Sequence, residues 1–260
     1  MKNAWLAIRS AILYCISGLY FTLLVPSLVL VTVLINPRKF DGAVKFFCRN
    51  LIRLAGARMA VQKSPGFDPT RTSFFIANHV NLFDPFVLCA AIPQLVRGLE
   101  LESHFKIPLY GILMKRFGNV AVPDVRRPSD LKKLWRETKA ALDDDISLIV
   151  FAEGKRTLTG RMGPFEEGAF RMAVQFGCPI VPISTVGSFE FNRKDRWWLH
   201  PSNIVVHIHD TIETAGMKKS DMPALMERVH AIMSAPVDIY YDAGEAAERA
   251  AGKIPAQTKG

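Results

Sequence analysis

In "NHVNLFDP", residues 78–85, a histidine and an aspartate stand five positions apart, directly after a short apolar run. A carboxylate bonded to one imidazole nitrogen fixes the tautomer and stabilises the imidazolium. The other nitrogen can then take a proton from a hydroxyl. His79 and Asp84 are therefore a candidate general base and its partner. The bland alternative is a loop histidine, with Asp84 as a helix N-cap ahead of Pro85 at the first helical position. No Gly-x-Ser-x-Gly elbow supplies a serine nucleophile, so a reacting hydroxyl has to come from the substrate.

A second polar cluster, "FAEGKRT" at 151–157, also follows an apolar run. Gly154 lets backbone N–H groups approach an anion, while Lys155 and Arg156 offer charge and paired donors for a phosphate. The competing reading is a solvated, charged turn.

Both clusters need a frame. From about residue 58, short apolar runs alternate with helical periods. "RMAVQ", "SFFIAN", "NVAVP", "SLIVFA", "PIVPISTV" and "IVVHIH" read as strands. Helical patterns fall near 84–92, 105–117, 129–143, 166–176 and 221–234, with Ser129 and Ser220 as N-cap candidates. The pattern predicts an α/β fold with a mixed, largely parallel sheet and flanking helices. Sites in such sheets gather at the carboxyl ends of strands, so parallel strands ahead of His79 and Glu153 bring both clusters to one rim.

The net charge of +9 is concentrated near the N-terminus, where residues 1–60 hold eight basic side chains against Asp41 alone. Residues 11–35 carry no charge over 25 positions, enough for a bilayer span of about 20 residues and too long for a signal-peptide core. Pro26 divides the run, and basic residues flank it at Lys2, Arg9, Arg38 and Lys39. A kinked span and a re-entrant helical pair are both open, and positive charge at both ends favours the re-entrant form with both flanks cytoplasmic. In residues 41–55 an apolar stripe (Val44, Phe47, Leu51, Leu54) runs beside a basic one (Lys45, Arg49, Arg53). That helix suits a membrane with anionic lipids, or packs on the protein with a solvated basic face. A positive excess beside a membrane segment points away from nucleic acid.

The expected organisation is a membrane-associated helical element over 1–57, a catalytic domain over 58–236 and a C-terminal tail over 237–260, loosely ordered beyond residue 240. The four cysteines are far apart among apolar residues and read as buried free thiols. His207 and His209 share a strand face without a visible third ligand, so no metal site is expected.

The order and spacing of these blocks resemble the glycerophospholipid acyltransferase family, especially bacterial 1-acylglycerol-3-phosphate acyltransferases, over roughly residues 60–190. "NHVNLFDP" resembles the family's His-x4-Asp box, "FKIPLYGILMKRFGNVAV" (105–122) its second block, "FAEGKRT" its Pro-Glu-Gly-Thr-Arg box and "PIVPIS" (179–184) its Val-Pro-Ile strand. "PFEEGAF" (164–170) resembles the segment between the last two. The resemblance implies a glycerol-3-phosphate acyltransferase-like fold, His79 and Asp84 as the catalytic pair, and Glu153, Gly154 and Arg156 at the phosphate of the acceptor.

Ala152 and Lys155 replace the usual proline and threonine. The arginine that ordinarily closes the second block is absent. Asp124 follows "GNVAVP", and Arg126 and Arg127 are the nearest basic residues able to take its place.

The implied reaction carries a fatty acyl group from acyl-CoA or acyl carrier protein to a lysophospholipid, foremost 1-acyl-sn-glycerol 3-phosphate. No bound cofactor is expected. The catalytic domain is expected on the cytoplasmic face of a membrane, the inner one if the protein is bacterial. Another lysolipid as acceptor, or a non-catalytic anionic-lipid-binding protein, is the alternative.

Overall fold

The computed structural model describes residues 2–125 and 127–250. Seven strands form one sheet in the order β1 (Ala57–Lys63), β7 (Ser202–Ile208), β6 (Ile180–Val186), β2 (Phe74–Ala77), β5 (Ser147–Phe151), β3 (Val96–Leu101), β4 (Val120–Val122). Strands β2 to β6 run parallel; β7 lies antiparallel to β6 and parallel to β1. The predicted mixed, largely parallel sheet is what forms.

Central strand β2 is buried on both faces, which explains why "FFIA" reads as one continuous apolar run. Phe75 and Ala77 enter one core beneath α2 (Asp41–Leu54) and α3 (Asp84–Ala91). Phe74 and Ile76 enter the other, beneath α5 (Pro128–Asp143), α6 (Glu167–Phe176) and α8 (Met222–Ala250).

Strand β3 escapes the sequence pattern. Its "VRGLEL" carries two charges and a glycine, yet Arg97 is buried, with its guanidinium bonded to the carbonyls of Phe117 and Val96 and 3.6 Å from Asp41. The expected helix over 105–117 is a 3-10 turn, Glu102–Lys106, followed by α4 (Tyr110–Phe117). Between them Pro108 and Leu109, the latter at φ +62°, form a tight turn closed by Tyr110 N–H on the Pro108 carbonyl at 2.7 Å. Helix α5 starts at Pro128 with Arg127 as its N-cap, so Ser129 lies inside it, and Ser220 falls in a 3-10 turn before α8.

The N-terminal expectation needs correction. Helix α1 is a single helix, Lys2–Leu34, running through Pro26, not a re-entrant pair. It is long and apolar enough to cross a membrane over Ala4–Leu34, yet it is docked along its length. Ser10, Ser17, Val25 and Thr32 form its buried face. Ser10 Oγ accepts from Leu199 N at 2.8 Å, Tyr20 stacks on Phe47 at 5.2 Å, and Arg116 reaches the Thr32 carbonyl. The opposite face exposes Trp5, Ile8, Ile12, Ile16, Leu19, Leu23 and Leu30. Cys15 is exposed as well, against the expectation of a buried thiol.

Helices α1 and α2 thus complete a core that also contains Val87, Leu88 and Ile183. At the other end of the chain, α8 continues through Pro236 to Ala250, so no break marks residue 237. The last ten residues of the tail, 251–260, lie outside the described residues.

Candidate active site

Ala77 at the end of β2 pairs with Phe151 at the end of β5. Two residues beyond each, His79 and Glu153 face one another across the carboxyl rim of the sheet. The rim expected to gather both polar clusters does so.

His79 Nδ1 lies 2.9 Å from Asp84 Oδ2. The same oxygen accepts from the amides of Val80 at 2.7 Å and Asn81 at 2.8 Å. Asp84 is the first residue of α3, its side chain turned back onto the loop before it; the N-cap is Phe83. The cap reading therefore gives way to an organiser of the histidine loop. The Asp84 side chain is 1% exposed and that of His79 20%, and the imidazole stacks on Phe151 with centroids 4.0 Å apart. With Nδ1 on the carboxylate, Nε2 has no partner among the described residues, which is the state a general base requires.

Sequence reasoning missed the other side of Asp84. Ser188, which opens the short helix α7 (Ser188–Phe191), donates from Oγ to Asp84 Oδ1 at 2.8 Å. Asn81 Nδ2 donates to both the carbonyl and Oγ of Ser188. Gly187 makes this possible: at φ +75°, an added Cβ would meet the Asn203 carbonyl oxygen at 2.1 Å. The available signal was a Gly-Ser pair at the end of the strand "PIVPISTV". Asn78 ties the same strand ends together, accepting from Thr185 N at 2.8 Å and donating to its carbonyl at 3.0 Å.

Glu153 lies on the rim beside His79. Its side chain is turned inward, accepting from His79 N on Oε1 at 3.2 Å and from Gly163 N on Oε2 at 2.9 Å. Burial pushes this carboxyl up, and the two backbone bonds only partly offset it. The buried carboxyl group ties the His79 loop to Gly163.

Gly154 adopts φ +64°, and its amide is taken by the Phe151 carbonyl at 3.1 Å. It makes a tight turn instead of donating to a ligand. Thr157 N closes the loop on the His79 carbonyl at 2.9 Å. Between these tethers Lys155 is exposed and Arg156 half-buried. Neither their amides nor their side chains have a hydrogen-bond or ion-pair partner among the described residues. An unpaired, partly desolvated guanidinium beside free amides suits a phosphate.

Arg127 is exposed at the start of α5, and Arg126 lies outside the described residues. His209 Nε2 sits 2.9 Å from Ser184 Oγ, and its ring faces that of His207 at 6.4 Å. Among the described residues, no group of three or more His, Cys, Asp or Glu side chains could hold a metal.

The mixed α/β sheet thus carries a His–Asp pair and a loop with Lys155 and Arg156 on one rim. Residues 58–186 match the family model described as Acyltransferase, so the chain carries a domain of that family over those residues. Among similar curated proteins is "1-acyl-sn-glycerol-3-phosphate acyltransferase" of Cocos nucifera, 27% identical over 184 residues, covering 71% of this chain and 59% of that protein. Its namesake from Haemophilus influenzae is 25% identical over 201 residues, covering 76% and 81%. The aligned region thus spans about three fifths of the coconut relative.

In fold the chain is similar to the crystal structure of the 1-acyl-sn-glycerophosphate (LPA) acyltransferase PlsC from Thermotoga maritima. The TM-score is 0.77 at 19% identity, over 92% of this chain and 98% of that one.

Proposed function

We propose that the protein is an O-acyltransferase using a lysophospholipid as acceptor, foremost 1-acyl-sn-glycerol 3-phosphate, to give phosphatidic acid for phospholipid biosynthesis. One observation carries the reading. His79 keeps Nδ1 on buried Asp84, beside a loop tethered to its own carbonyl, and neither His79 Nε2 nor the Arg156 guanidinium has a partner among the described residues. The names of the similar proteins point to the same acceptor.

In this mechanism Arg156 and the adjoining amides hold the acceptor phosphate, aided by Lys155 and by Arg126 or Arg127. His79 Nε2 removes the proton of the glycerol hydroxyl, whose oxygen attacks the thioester carbonyl of acyl-CoA or acyl carrier protein. Asp84 stabilises the imidazolium. The tetrahedral intermediate collapses by breaking the C–S bond, and His79 returns the proton to the thiolate. Holding both reactants together lowers the entropic barrier, so no acyl-enzyme is needed.

The same reading places the protein at a membrane surface with its catalytic domain on the cytoplasmic side. A helix docked over its whole length cannot cross a bilayer without drawing the domain in. Its exposed apolar face, about 50 Å long at 1.5 Å per residue, therefore lies along the lipid. Of the basic residues flanking the apolar run, exposed Lys39 suits anionic headgroups on the cytoplasmic leaflet, while Arg9 donates to the Leu199 carbonyl and Arg38 pairs with Asp144.

The test uses purified full-length protein, labelled acyl-CoA or acyl-loaded carrier protein, and a panel of lysolipids. Acylation of lysophosphatidic acid is expected, with Arg156→Ala raising the acceptor KM about 10-fold or more and leaving the donor KM unchanged. Turnover of other lysolipids only, indifferent to Arg156, would remove the phosphate from the reading. Absence of any turnover would favour a lipid-binding protein.

A further inference from the structure

We propose that the turns of α8 beyond Pro236 position the acceptor loop, acting through Arg161. This rests on the reading of Arg156 as a phosphate ligand. The loop from Gly154 to Gly163 is tied to the residues just beyond β2 and β5, Thr157 N to the His79 carbonyl and Gly163 N to Glu153 Oε2. Between those ties its course is set by a helix that starts more than 50 residues later.

Arg161 Nη1 lies 3.1 Å from Asp238 Oδ1 and Nη2 2.8 Å from Asp242 Oδ1, one helical turn apart on α8. Gly160, at φ +82°, rests against the Tyr241 ring so closely that an added Cβ would meet Tyr241 Oη at 2.3 Å. The guanidinium of Arg161 sits 5.7 Å above that ring. Arginine, tyrosine and two aspartates thus form a grip that fixes both the height and the rotation of the loop.

The grip reaches the catalytic half as well. Tyr241 meets Phe189 edge-on at 6.4 Å, and Phe189 adjoins Ser188, the donor to Asp84. One tyrosine therefore touches the acceptor loop and the helix behind the catalytic pair. Asp238 and Asp242 neither face His79 nor carry charge suited to a phosphate. Their role is positioning, and it predicts a defect in acceptor binding.

The experiment compares Asp238→Asn/Asp242→Asn with wild type in the full chain, varying lysophosphatidic acid and acyl donor separately. The ion pairs are part-exposed, so each contributes modestly. The acceptor KM is expected to rise about 3- to 10-fold, with donor KM and kcat within about twofold. Arg161→Lys, which keeps charge but loses the fork, should fall between.

An unchanged acceptor KM, or equal rises in both KM values, overturns the proposal. If the double variant does not fold, each single Asn variant retains one ion pair and is expected to show a smaller acceptor-selective rise. Two silent singles overturn it equally. Arg156→Ala in parallel separates the two readings. If Arg156→Ala leaves the acceptor KM unmoved, the phosphate loop itself is wrong and the proposal falls with it. An acceptor-selective Arg156→Ala beside silent aspartate variants sinks only the positioning role of α8.

Discussion

Ser188 and Asp84, 104 residues apart in the chain, share a 2.8 Å hydrogen bond on the carboxylate oxygen that His79 does not use. Asp84 is thereby held from both sides, by three donors on Oδ2 and by the serine hydroxyl on Oδ1. A carboxylate so fixed keeps the imidazole in one tautomer and orientation. Ser188→Ala is expected to lower kcat about 10-fold, the scale of one hydrogen bond to a charged group, while both KM values stay near wild type. Ser188→Thr, which keeps the hydroxyl, should recover most of the loss. A kinetically silent alanine variant would reduce Ser188 to a packing residue.

His79→Ala should cost about 10²–10⁴-fold in kcat with a normal melting curve. Asp84→Asn is predicted to behave differently from a cap substitution. Asparagine caps a helix as well as aspartate, but here one oxygen must serve three donors and the other a hydroxyl. Its NH₂ group would face a donor, so both kcat and the melting temperature should drop. An active Asp84→Asn protein of unchanged melting temperature would contradict the bonding described above.

Glu153 gives a pH-dependent expectation. Burial raises its folded-state pKa above the unfolded value of about 4.3. Its contribution to stability is therefore fully present below that value and is lost as pH rises through the folded pKa. Glu153→Gln removes this slope. The variant is also destabilised, because its amide can accept only one of the His79 and Gly163 bonds. The melting deficit against wild type should therefore be largest near pH 4 and narrow as pH rises. A deficit constant across that range would place the carboxyl in a more solvated setting.

Leu19 and Leu23 test the lipid face of α1. Both are more than 60% exposed on the side away from the domain. Leu19→Glu/Leu23→Glu should weaken vesicle binding about 10-fold or more, since charges are costly in an apolar layer, without changing the melting temperature. Full retention on vesicles by flotation would mean that the stripe is not the attachment surface.

Much of this site was legible from local chemistry. Strands β2 and β5 are continuous apolar runs because both their faces are covered, and the polar residues at their ends stand out against them. His79, Asp84 and Arg156 became candidates that way, and the family resemblance singled them out from the bland readings. Ser188 could be suspected only as half of a Gly-Ser pair after a strand, because its partner lies 104 positions away and nothing local ties it to Asp84. Glu153 was legible as a residue of the rim, whereas its inward rotamer depends on amides from two other loops. Strand β3 was hidden because Arg97 finds its neutralising contacts in carbonyls and in Asp41 on another helix. The reach of α8 was lost for a related reason. Pro236 and a polar, alanine-rich stretch look like an ending, and Arg161 supplies the anchor from 77 residues upstream.

The bond between Ser10 and Leu199 spans 189 positions, and it sets an order of events in the cell. The first helix leaves the ribosome long before the loop that covers its serines has been made. Until then its small polar face lacks its partners, and its apolar face has only lipid to shelter in. If the apolar face of α1 is the attachment surface proposed above, attachment to the bilayer precedes completion of the core, and the sheet assembles against a helix already lying on its membrane. On this view the bilayer is the surface on which the protein folds as well as the place where it works.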